Sequence, residues 1–220
     1  HYYGQYPGYY MRYLEERNIV PEMLPEDKGI LSHGRPDYLA VNYYRTLCTS
    51  YLPETEEHPK GSRVFRGNEV DFDQYGYCRD EVNENLTCSE YGATIDANGL
   101  RIVLNDYYAR YHLPIIITEN GLGVPDELTP DGRVHDEYRI DYLRKHIEAC
   151  RLAMEDGVEM LGYSPWSFMD LLSSHQGFRK RYGFVYVNRE DHDEKDLRRI
   201  KKDSYYWYQK VIQTNGEDLS

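Results

Sequence analysis

The alternation of apolar and polar positions predicts four helices along the chain. The clearest helix runs from Tyr138 to Glu155, and Asp156-Gly157 supplies a common C-terminal stop signal. Its apolar positions step by three and four residues: Ile140, Leu143, Ile147, Cys150 and Met154. This spacing is typical of a helix that buries one face.

A second helix is predicted after Asp96 and Asn98, which are candidate caps. Its apolar residues share one face: Leu100, Val103, Leu104 and Tyr107. Residues 8–18 and 204–213 complete the set, and the last helix should end near Asn215-Gly216. Trp207 lies on this final helix with no functional context, so we expect it in the core.

Short apolar runs predict the strands. They cover residues 36–44, 114–118 and 160–166, with a short additional strand at 183–187. Between the first two lies a polar stretch, 45–92, with scattered glycine and proline. We expect an irregular excursion there, and long loops inside compact folds are usually functional or lid-like.

Helices and strands therefore alternate, which predicts parallel βα units in an α/β fold. Each strand also ends on polar or aromatic residues: Asn42 and Tyr44, then Glu119 and Asn120, then Trp166, Ser167 and Asp170. Functional residues gather at the C-terminal ends of parallel strands in both barrels and doubly wound sheets. The pattern thus places Glu119 in the mouth of a site.

Composition narrows the class of partner. The 220 residues include 38 acidic and 26 basic side chains, a net charge of -12 that argues against nucleic acid or an acidic membrane surface. The cysteines form no CxxC pair, so neither a metal site nor a redox motif is indicated, and no cofactor is expected. No apolar run reaches the ~20 residues of a membrane span, and we expect a cytoplasmic protein.

Beyond these patterns, the chain resembles the C-terminal part of the family 1 glycoside hydrolases, more narrowly the bacterial 6-phospho-β-glucosidases. The resemblance covers nearly the whole chain, and its landmarks come in family order. They are "GQYPGYY" (4–10), "PDYLAVNYY" (36–44), "SEYGATIDANGLR" (89–101), "ITENGLG" (117–123), "VHDEYRIDYLRKHI" (134–147) and "GYSPWSFMDLLSS…KRYGFVYV" (162–187).

The resemblance implies a retaining glycosidase with Glu119 as the nucleophile. Tyr44 matches the tyrosine that holds this carboxylate ionised and oriented, and Asn42 matches the polar neighbour on the same strand. Trp166 matches the aromatic platform for the sugar ring. Without the resemblance, Glu119 is equally well explained as a carboxylate that caps the turn after its strand. The less favoured alternative for Trp166 is a core residue.

The resemblance also implies a phosphate pocket. Family members that take unphosphorylated sugars usually carry Glu-Trp seven and eight residues after the platform tryptophan, where this chain has Ser173 and Ser174. A carboxylate there would repel a phosphate, whereas a hydroxyl can donate to it. The family's phosphate ligands match Ser173, Lys180 and Tyr182.

Two points about this pocket stay open. The small Ser174 resembles the gluco-specific branch, because 6-phospho-galactosidases tend to keep tryptophan there. The basic run 179–182 is alternatively a solvated surface turn, as most charge runs are.

The family's general acid/base lies in an Asn-Glu-Pro motif, which this chain lacks. The nearest string, Asn83-Glu84-Asn85, lies in the polar stretch without a proline. Residues 1–220 therefore resemble about strands 6–8 of a (β/α)8 TIM barrel, as the C-terminal part of one catalytic domain. We expect the remaining half of the barrel in the same or a complementary chain, because three parallel strands cannot close a barrel.

The function expected for the intact protein is hydrolysis of 6-phospho-β-D-glucosides to glucose 6-phosphate and an aglycone. The sugars would come from a sugar-phosphorylating uptake system, and the isolated chain should be inactive. Alternatives are a non-catalytic sugar-phosphate-binding fragment, a 6-phospho-β-galactosidase or a plain β-glucosidase.

Overall fold

The computed structural model describes residues 2–51, 62–65, 68–71, 78–174 and 176–220, with the backbone alone at 62–65, 68–71 and 78–80. Five helices lie in these residues: α1 (Gly8–Glu16), α2 (Asp27–His33), α3 (Ala97–Tyr111), α4 (Glu137–Glu155) and α5 (Asp203–Gln213). The predicted helices are confirmed. The short α2 was not predicted, and none of its residues is buried.

Local signals explain where the helices begin and end. The Asp96 side chain accepts a hydrogen bond from the Gly99 amide (2.8 Å) at the start of α3, which confirms this cap. Helix α4 stops at Asp156, and Gly157 follows with a positive φ of 105° that suits glycine. Asn215 and Gly216 both have positive φ just after α5, as the sequence predicts.

Nine strands are described: β1 (Leu39–Asn42), β2 (Cys48–Tyr51), β3 (Ser62–Phe65), β4 (Asn68–Asp71), β5 (Cys78–Glu81), β6 (Ile115–Asn120), β7 (Met160–Pro165), β8 (Val185–Val187) and β9 (Arg199–Lys201). Strands β1, β6 and β7 form a parallel sheet in that order. The predicted parallel βα units are confirmed.

The register of this sheet aligns the strand ends. Asn42 at the end of β1 pairs with Glu119 on β6, and Asn120 pairs with Pro165 at the end of β7. Trp166 follows directly, and its amide donates to the Asn120 carbonyl (2.8 Å). The polar residues that end the three strands therefore meet at one edge of the sheet.

The core has two parts. One packs the sheet against α3 and α4 and includes Leu39, Leu100, Leu104, Ile115 and Ile117, which are almost fully buried. The other packs the loop after β6 against α4 and α5, and Trp207 belongs to it as predicted. The prediction for Met154 is wrong, because its side chain is exposed near the end of α4.

The remaining strands are antiparallel pairs. In the stretch 45–92, expected to be irregular, β2 pairs with β5 and β3 with β4. That expectation is therefore wrong for these segments. The short strand predicted at 183–187 is confirmed as β8, which pairs with β9, a strand that was not predicted.

The parallel sheet is open within the described residues, since β1 and β7 each pair on one side only. Beside β7 lies a cleft of about 500 Å³ lined largely by apolar residues, among them Phe168, Tyr205 and Ile212. Phe168 and Ile212 are both exposed. None of the described helices is long and apolar enough to cross a membrane.

Candidate active site

The end of β6 presents Glu119 beside a fully buried neighbour. The Asn120 side-chain amide donates to the Tyr43 carbonyl (2.6 Å) and the Tyr142 hydroxyl (3.1 Å), and its oxygen accepts from the Tyr163 hydroxyl (2.5 Å). Successive side chains on a strand point to opposite faces. Fixing Asn120 in the interior therefore directs Glu119 to the other face of the sheet, where it is partly buried.

Tyr44 is the direct partner of Glu119. Its hydroxyl donates to Glu119 Oε2 at 2.7 Å. Burial, followed by this hydrogen bond, raises the pKa of Tyr44 well above its usual value. The phenol therefore keeps its proton and remains a fixed donor that orients the carboxylate.

Two other predicted site residues lie at the same edge. Asn42 is exposed opposite Glu119, and its side-chain oxygen accepts from the Thr118 hydroxyl (2.6 Å). Trp166 is partly buried, and a Cβ added at Gly121 would lie 2.0 Å from the Trp166 carbonyl oxygen. The close approach of the two backbones explains why glycine follows Asn120.

The basic run is tied to this edge by backbone hydrogen bonds. Arg181 exchanges two with Val124, at 2.9 and 3.1 Å, in the loop after β6, and the Ser167 amide donates to the Tyr182 carbonyl at 3.3 Å. A Cβ added at Gly123 would lie 2.6 Å from Lys180 Cε and 2.5 Å from the Tyr182 ring. Lys180 and Tyr182 therefore cross the loop that follows Glu119, close to Gly123.

Tyr44 connects the two sets of residues. Its ring meets that of Tyr182 edge-on, with centroids 6.3 Å apart, while its hydroxyl holds Glu119. Tyr44, Lys180 and Tyr182 line one cavity of about 290 Å³. Glu119 itself does not line this cavity, and Tyr44 links its carboxylate to the cavity wall that Tyr182 and Lys180 form.

Burial shapes the chemistry of the cavity. Lys180 Nζ lies 4.9 Å from the centre of the Tyr91 ring and 5.4 Å from that of Tyr182. Burial, followed by the nearby Arg45 charge, lowers the pKa of Lys180, and burial raises the pKa of Tyr182 to about 12. Tyr182 is therefore a neutral hydrogen-bond donor, and a bound anion would favour the charged lysine.

The solvated-turn alternative for the basic run does not describe Arg181. Only Arg179, among residues 179–182, is exposed. Arg181 is buried, forms an ion pair with Asp170 (3.0 Å), and donates to the Val187 carbonyl (2.9 Å). Its role is to fix the backbone on which Lys180 and Tyr182 sit.

Arg181 belongs to a buried ionic network that sequence reasoning missed. Lys202 contacts both Asp170 (2.8 Å) and Asp126, and Arg139 contacts Asp126 (2.9 Å). Arg139 also lies 3.5 Å from Asp136, so three acidic and three basic side chains balance. The partners lie up to 76 residues apart in the sequence, and no local sequence motif indicates a network of this kind.

Ser173 and Ser174 lie in a turn that leads to Lys180. The Ser173 backbone exchanges hydrogen bonds with Gly177, at 3.0 and 3.2 Å. Ser173 is partly buried and Ser174 exposed, and neither lines the cavity. The structure therefore brings Lys180 and Tyr182 together and places the two serines at the start of the same loop.

The second carboxylate that a glycosidase uses, its general acid/base, is not supplied by a motif at the end of any described parallel strand. Asn83-Glu84-Asn85 forms an exposed turn in which Asn83 accepts from the Asn85 amide (3.0 Å). A strand, β5, does end just before it, contrary to expectation, but β5 is outside the parallel sheet. In the part of the chain that is described, no cluster of His, Cys, Asp and Glu could hold a metal ion.

Known proteins that are similar to this chain indicate its family. The profile of glycosyl hydrolase family 1 matches residues 1–217. The aryl-phospho-β-D-glucosidase BglC of Bacillus subtilis is 46% identical over 218 residues, which cover 98% of this chain and 46% of that protein. The 6-phospho-β-glucosidase AscB of Escherichia coli is 39% identical over 217 residues, covering 98% and 43%.

A solved structure is similar as well. The family 1 β-glucosidase from Thermotoga maritima superimposes with a TM-score of 0.78 at 30% identity, covering 99% of this chain and 43% of that one. The chain thus spans less than half the length of the relatives it matches.

Proposed function

Because the chain belongs to glycosyl hydrolase family 1, we propose that the protein containing it hydrolyses 6-phospho-β-D-glucosides with retention of configuration. The products are glucose 6-phosphate and an aglycone. The observation that carries the proposal is the position of Tyr44, which donates to Glu119 and packs against Tyr182. A carboxylate and a cation can therefore act on opposite ends of one sugar phosphate.

In this proposal Glu119 is the nucleophile. Its carboxylate attacks the anomeric carbon while a second carboxylic acid protonates the leaving oxygen, and a glycosyl-enzyme forms. The second group then takes a proton from the water that releases glucose 6-phosphate. Retention requires the two carboxyl groups to lie roughly 5–5.5 Å apart. Tyr44 supports the first step by holding Glu119 in one orientation.

The other predicted residues bind the substrate. Lys180 supplies a compact positive charge for the 6-phosphate and Tyr182 donates a hydrogen bond. Ser173, which lies in the adjoining turn and outside the cavity lining, is the third proposed ligand. Trp166 stacks on the apolar face of the sugar ring, and Asn42 binds hydroxyl groups beside Glu119. Ser174 leaves room where a tryptophan would favour the galacto isomer, so we propose glucosides as substrates.

The second carboxylate would come from the rest of a TIM barrel. We propose that residues 1–220 form about strands 6–8 of that single domain. Two observations support this: among the described strands the parallel sheet has no partner at either edge, and an apolar cleft lies beside β7. Closing the barrel would pair those edges and cover the cleft. Because phosphorylated sugars arise inside cells, we place the protein in the cytoplasm.

The phosphate assignment is tested by Lys180→Ala in the full-length protein. Removing one charge-assisted contact to a phosphate should raise KM for p-nitrophenyl 6-phospho-β-D-glucoside by roughly 10-fold or more. Hydrolysis of p-nitrophenyl β-D-glucoside should be unchanged. Lys201→Ala, at an exposed lysine on β9, is the matched control and should leave both activities as they are.

Three results would redirect the proposal. An equal loss on both substrates would show that Lys180 does not bind phosphate. Faster turnover of the galacto isomer would remove the gluco assignment. Binding of glucose 6-phosphate without turnover of any glycoside by the full-length protein would identify a non-catalytic sugar-phosphate-binding protein.

A further inference from the structure

Tyr142 on α4 lies between the core and the cavity that Tyr44 lines. It is only 2% exposed, yet it forms part of the lining of this cavity. Its hydroxyl accepts a hydrogen bond from the Asn120 side-chain amide (3.1 Å) and donates to the Tyr44 carbonyl at the longer distance of 3.5 Å. Asn120 directly follows Glu119 in the sequence, and the Tyr44 hydroxyl donates to the Glu119 carboxylate. One hydroxyl group therefore contacts two residues that determine where this carboxylate lies.

The segment Tyr43–Tyr44 is joined to the end of β6 at consecutive backbone groups. The Tyr43 amide donates to the Glu119 carbonyl (2.9 Å), and the Tyr43 carbonyl accepts from the Asn120 side chain (2.6 Å). Tyr142 contacts the next carbonyl along the chain, that of Tyr44. This third contact fixes the peptide group from which the Tyr44 side chain extends toward Glu119.

The Tyr142 ring is itself held firmly. It stacks on His146 with ring centres 4.0 Å apart, and His146 Nδ1 donates to the Tyr142 carbonyl (2.7 Å) one turn earlier in α4. Burial raises the pKa of Tyr142 above its usual value, so the hydroxyl keeps its proton and remains a donor. Side chains locked by packing and hydrogen bonds are the kind that hold reacting groups in a productive geometry.

We propose that Tyr142 is a positioning residue for glycoside hydrolysis and acts through Tyr44. Its hydroxyl holds the Tyr44 backbone and the Asn120 amide, and Tyr44 in turn orients the Glu119 carboxylate toward the anomeric carbon. The inference rests on the proposed function and extends its machinery from the strand ends to α4. Misplacing a reacting group by about 1 Å can lower a rate about 100-fold, so even a small displacement of Tyr44 should be visible in kcat.

The kinetic test is Tyr142→Phe in the full-length protein, which keeps the stacked ring and removes the hydroxyl. For p-nitrophenyl 6-phospho-β-D-glucoside, kcat should fall roughly 5-fold to 30-fold while KM changes less than about twofold. Tyr107→Phe, at a partly buried tyrosine of α3 that packs against the core, is the matched control and should keep the wild-type kcat. An unchanged kcat for Tyr142→Phe, or a rise in KM alone, would overturn the inference.

A double-mutant cycle distinguishes positioning through Tyr44 from a general structural role. If Tyr142 acts through the Tyr44 hydroxyl, adding Tyr142→Phe to Tyr44→Phe should lower kcat by less than about twofold more. Independent effects would multiply instead, so a further loss as large as that of Tyr142→Phe alone would contradict the inference. Each variant is assayed well below its own thermal melting temperature, which removes unfolding as the cause of a lower kcat.

The crystal structure of the full-length Tyr142→Phe variant supplies a measurement that needs no substrate. We expect the Tyr44 hydroxyl to lie beyond about 3.2 Å from Glu119 Oε2 or to occupy more than one position. Retention of the single 2.7 Å hydrogen bond would overturn the inference. If the protein hydrolysed another class of glycoside, the proposed function would fail, and the double-mutant cycle on that substrate and this structure would still decide the role of Tyr142.

Discussion

The two groups of candidate site residues, a carboxylate end and a cation end, are held in place by different kinds of interaction. At the carboxylate end, formed by Glu119 and Tyr44, the support is the parallel sheet and the neutral hydrogen bonds of Asn120. At the cation end, formed by Lys180 and Tyr182, the support is a loop fixed by the buried ionic network through Arg181.

This difference has energetic consequences. A neutral hydrogen bond contributes about 0.5–1.5 kcal/mol net, whereas removing one partner of a buried ion pair destabilises by about 3–5 kcal/mol. Substitutions at the carboxylate end should therefore act mainly on the chemical step. Those beneath the cation end should act mainly on stability and on recognition of the phosphate.

The largest effect is expected at the carboxylate end. Glu119→Gln removes the nucleophile and should lower kcat for p-nitrophenyl 6-phospho-β-D-glucoside at least about 10³-fold in the full-length protein. The hydrogen bond from Tyr44 can persist to the amide oxygen, so the thermal melting temperature should change little. Glu127→Gln, at an exposed carboxylate in the following loop, is the control. Activity within tenfold of the wild type would refute the assignment.

Beneath the cation end, Asp170→Asn should destabilise the protein most. The substitution removes the buried carboxylate that pairs with Arg181 and leaves Lys202 with Asp126 alone, and the free energy of unfolding should fall by about 3–5 kcal/mol. Urea unfolding of the full-length protein measures it. Asp196→Asn breaks an exposed pair with Arg198 and should not move the midpoint. A loss below about 1 kcal/mol for Asp170→Asn would show that the network is not structural.

His146, which lies behind the carboxylate end, should make the free energy of unfolding depend on pH. His146 is fully buried, stacks on Tyr142 (4.0 Å between ring centres), and burial lowers its pKa from 6.5 to about 4. Between about pH 4 and pH 6.5 the His146 imidazole is therefore protonated in the unfolded chain and neutral in the folded protein. The contribution of His146 to the free energy of unfolding is therefore complete above about pH 6.5, and it falls by about 3 kcal/mol as the pH drops to 4.

Urea unfolding across this pH range tests the contribution of His146. His146→Gln cannot titrate, so the decrease between pH 7 and pH 4 should be smaller by about 3 kcal/mol than in the wild type. His192→Gln, at an exposed histidine, should follow the wild-type curve. Parallel curves for His146→Gln and the wild type would exclude His146 as the source.

The smallest effect is expected for Gly123→Ala. A methyl group there meets the flexible Lys180 stem and the Tyr182 ring, both of which can move slightly. KM for the phosphorylated substrate should rise roughly threefold to tenfold with kcat unchanged, equivalent to about 1 kcal/mol. Gly29→Ala, which meets nothing within 4 Å, is the control. A fall in kcat at constant KM would assign Gly123 to the carboxylate end instead.

The same division explains what the sequence could predict. Apolar runs that end on polar residues predicted β1, β6 and β7 and placed Asn42, Glu119 and Trp166 at one edge, because each run is a local pattern and the C-terminal ends of parallel strands meet at the same edge of a sheet. The family resemblance then drew attention to Lys180 and Tyr182. Their closeness to Glu119 depends on pairing between two loops, which periodicity does not encode.

The missed features depend on contacts between distant residues. Arg181 looked like part of a solvated turn because its partner Asp170 belongs to another loop. Met154 followed the helical period of α4 but lies past the point where neighbouring elements cover that face.

The proposal that Glu119 and Lys180 act on one substrate is tested most directly by trapping the intermediate. A 2-deoxy-2-fluoro 6-phospho-β-glucoside with a good leaving group should accumulate as a glycosyl-enzyme in the full-length protein, and its crystal structure would locate both ends of the sugar. We predict a covalent bond from the anomeric carbon to a Glu119 oxygen and the phosphate within hydrogen-bond distance of Lys180 Nζ. A sugar attached to another carboxylate, or a phosphate directed away from Lys180, would contradict the account.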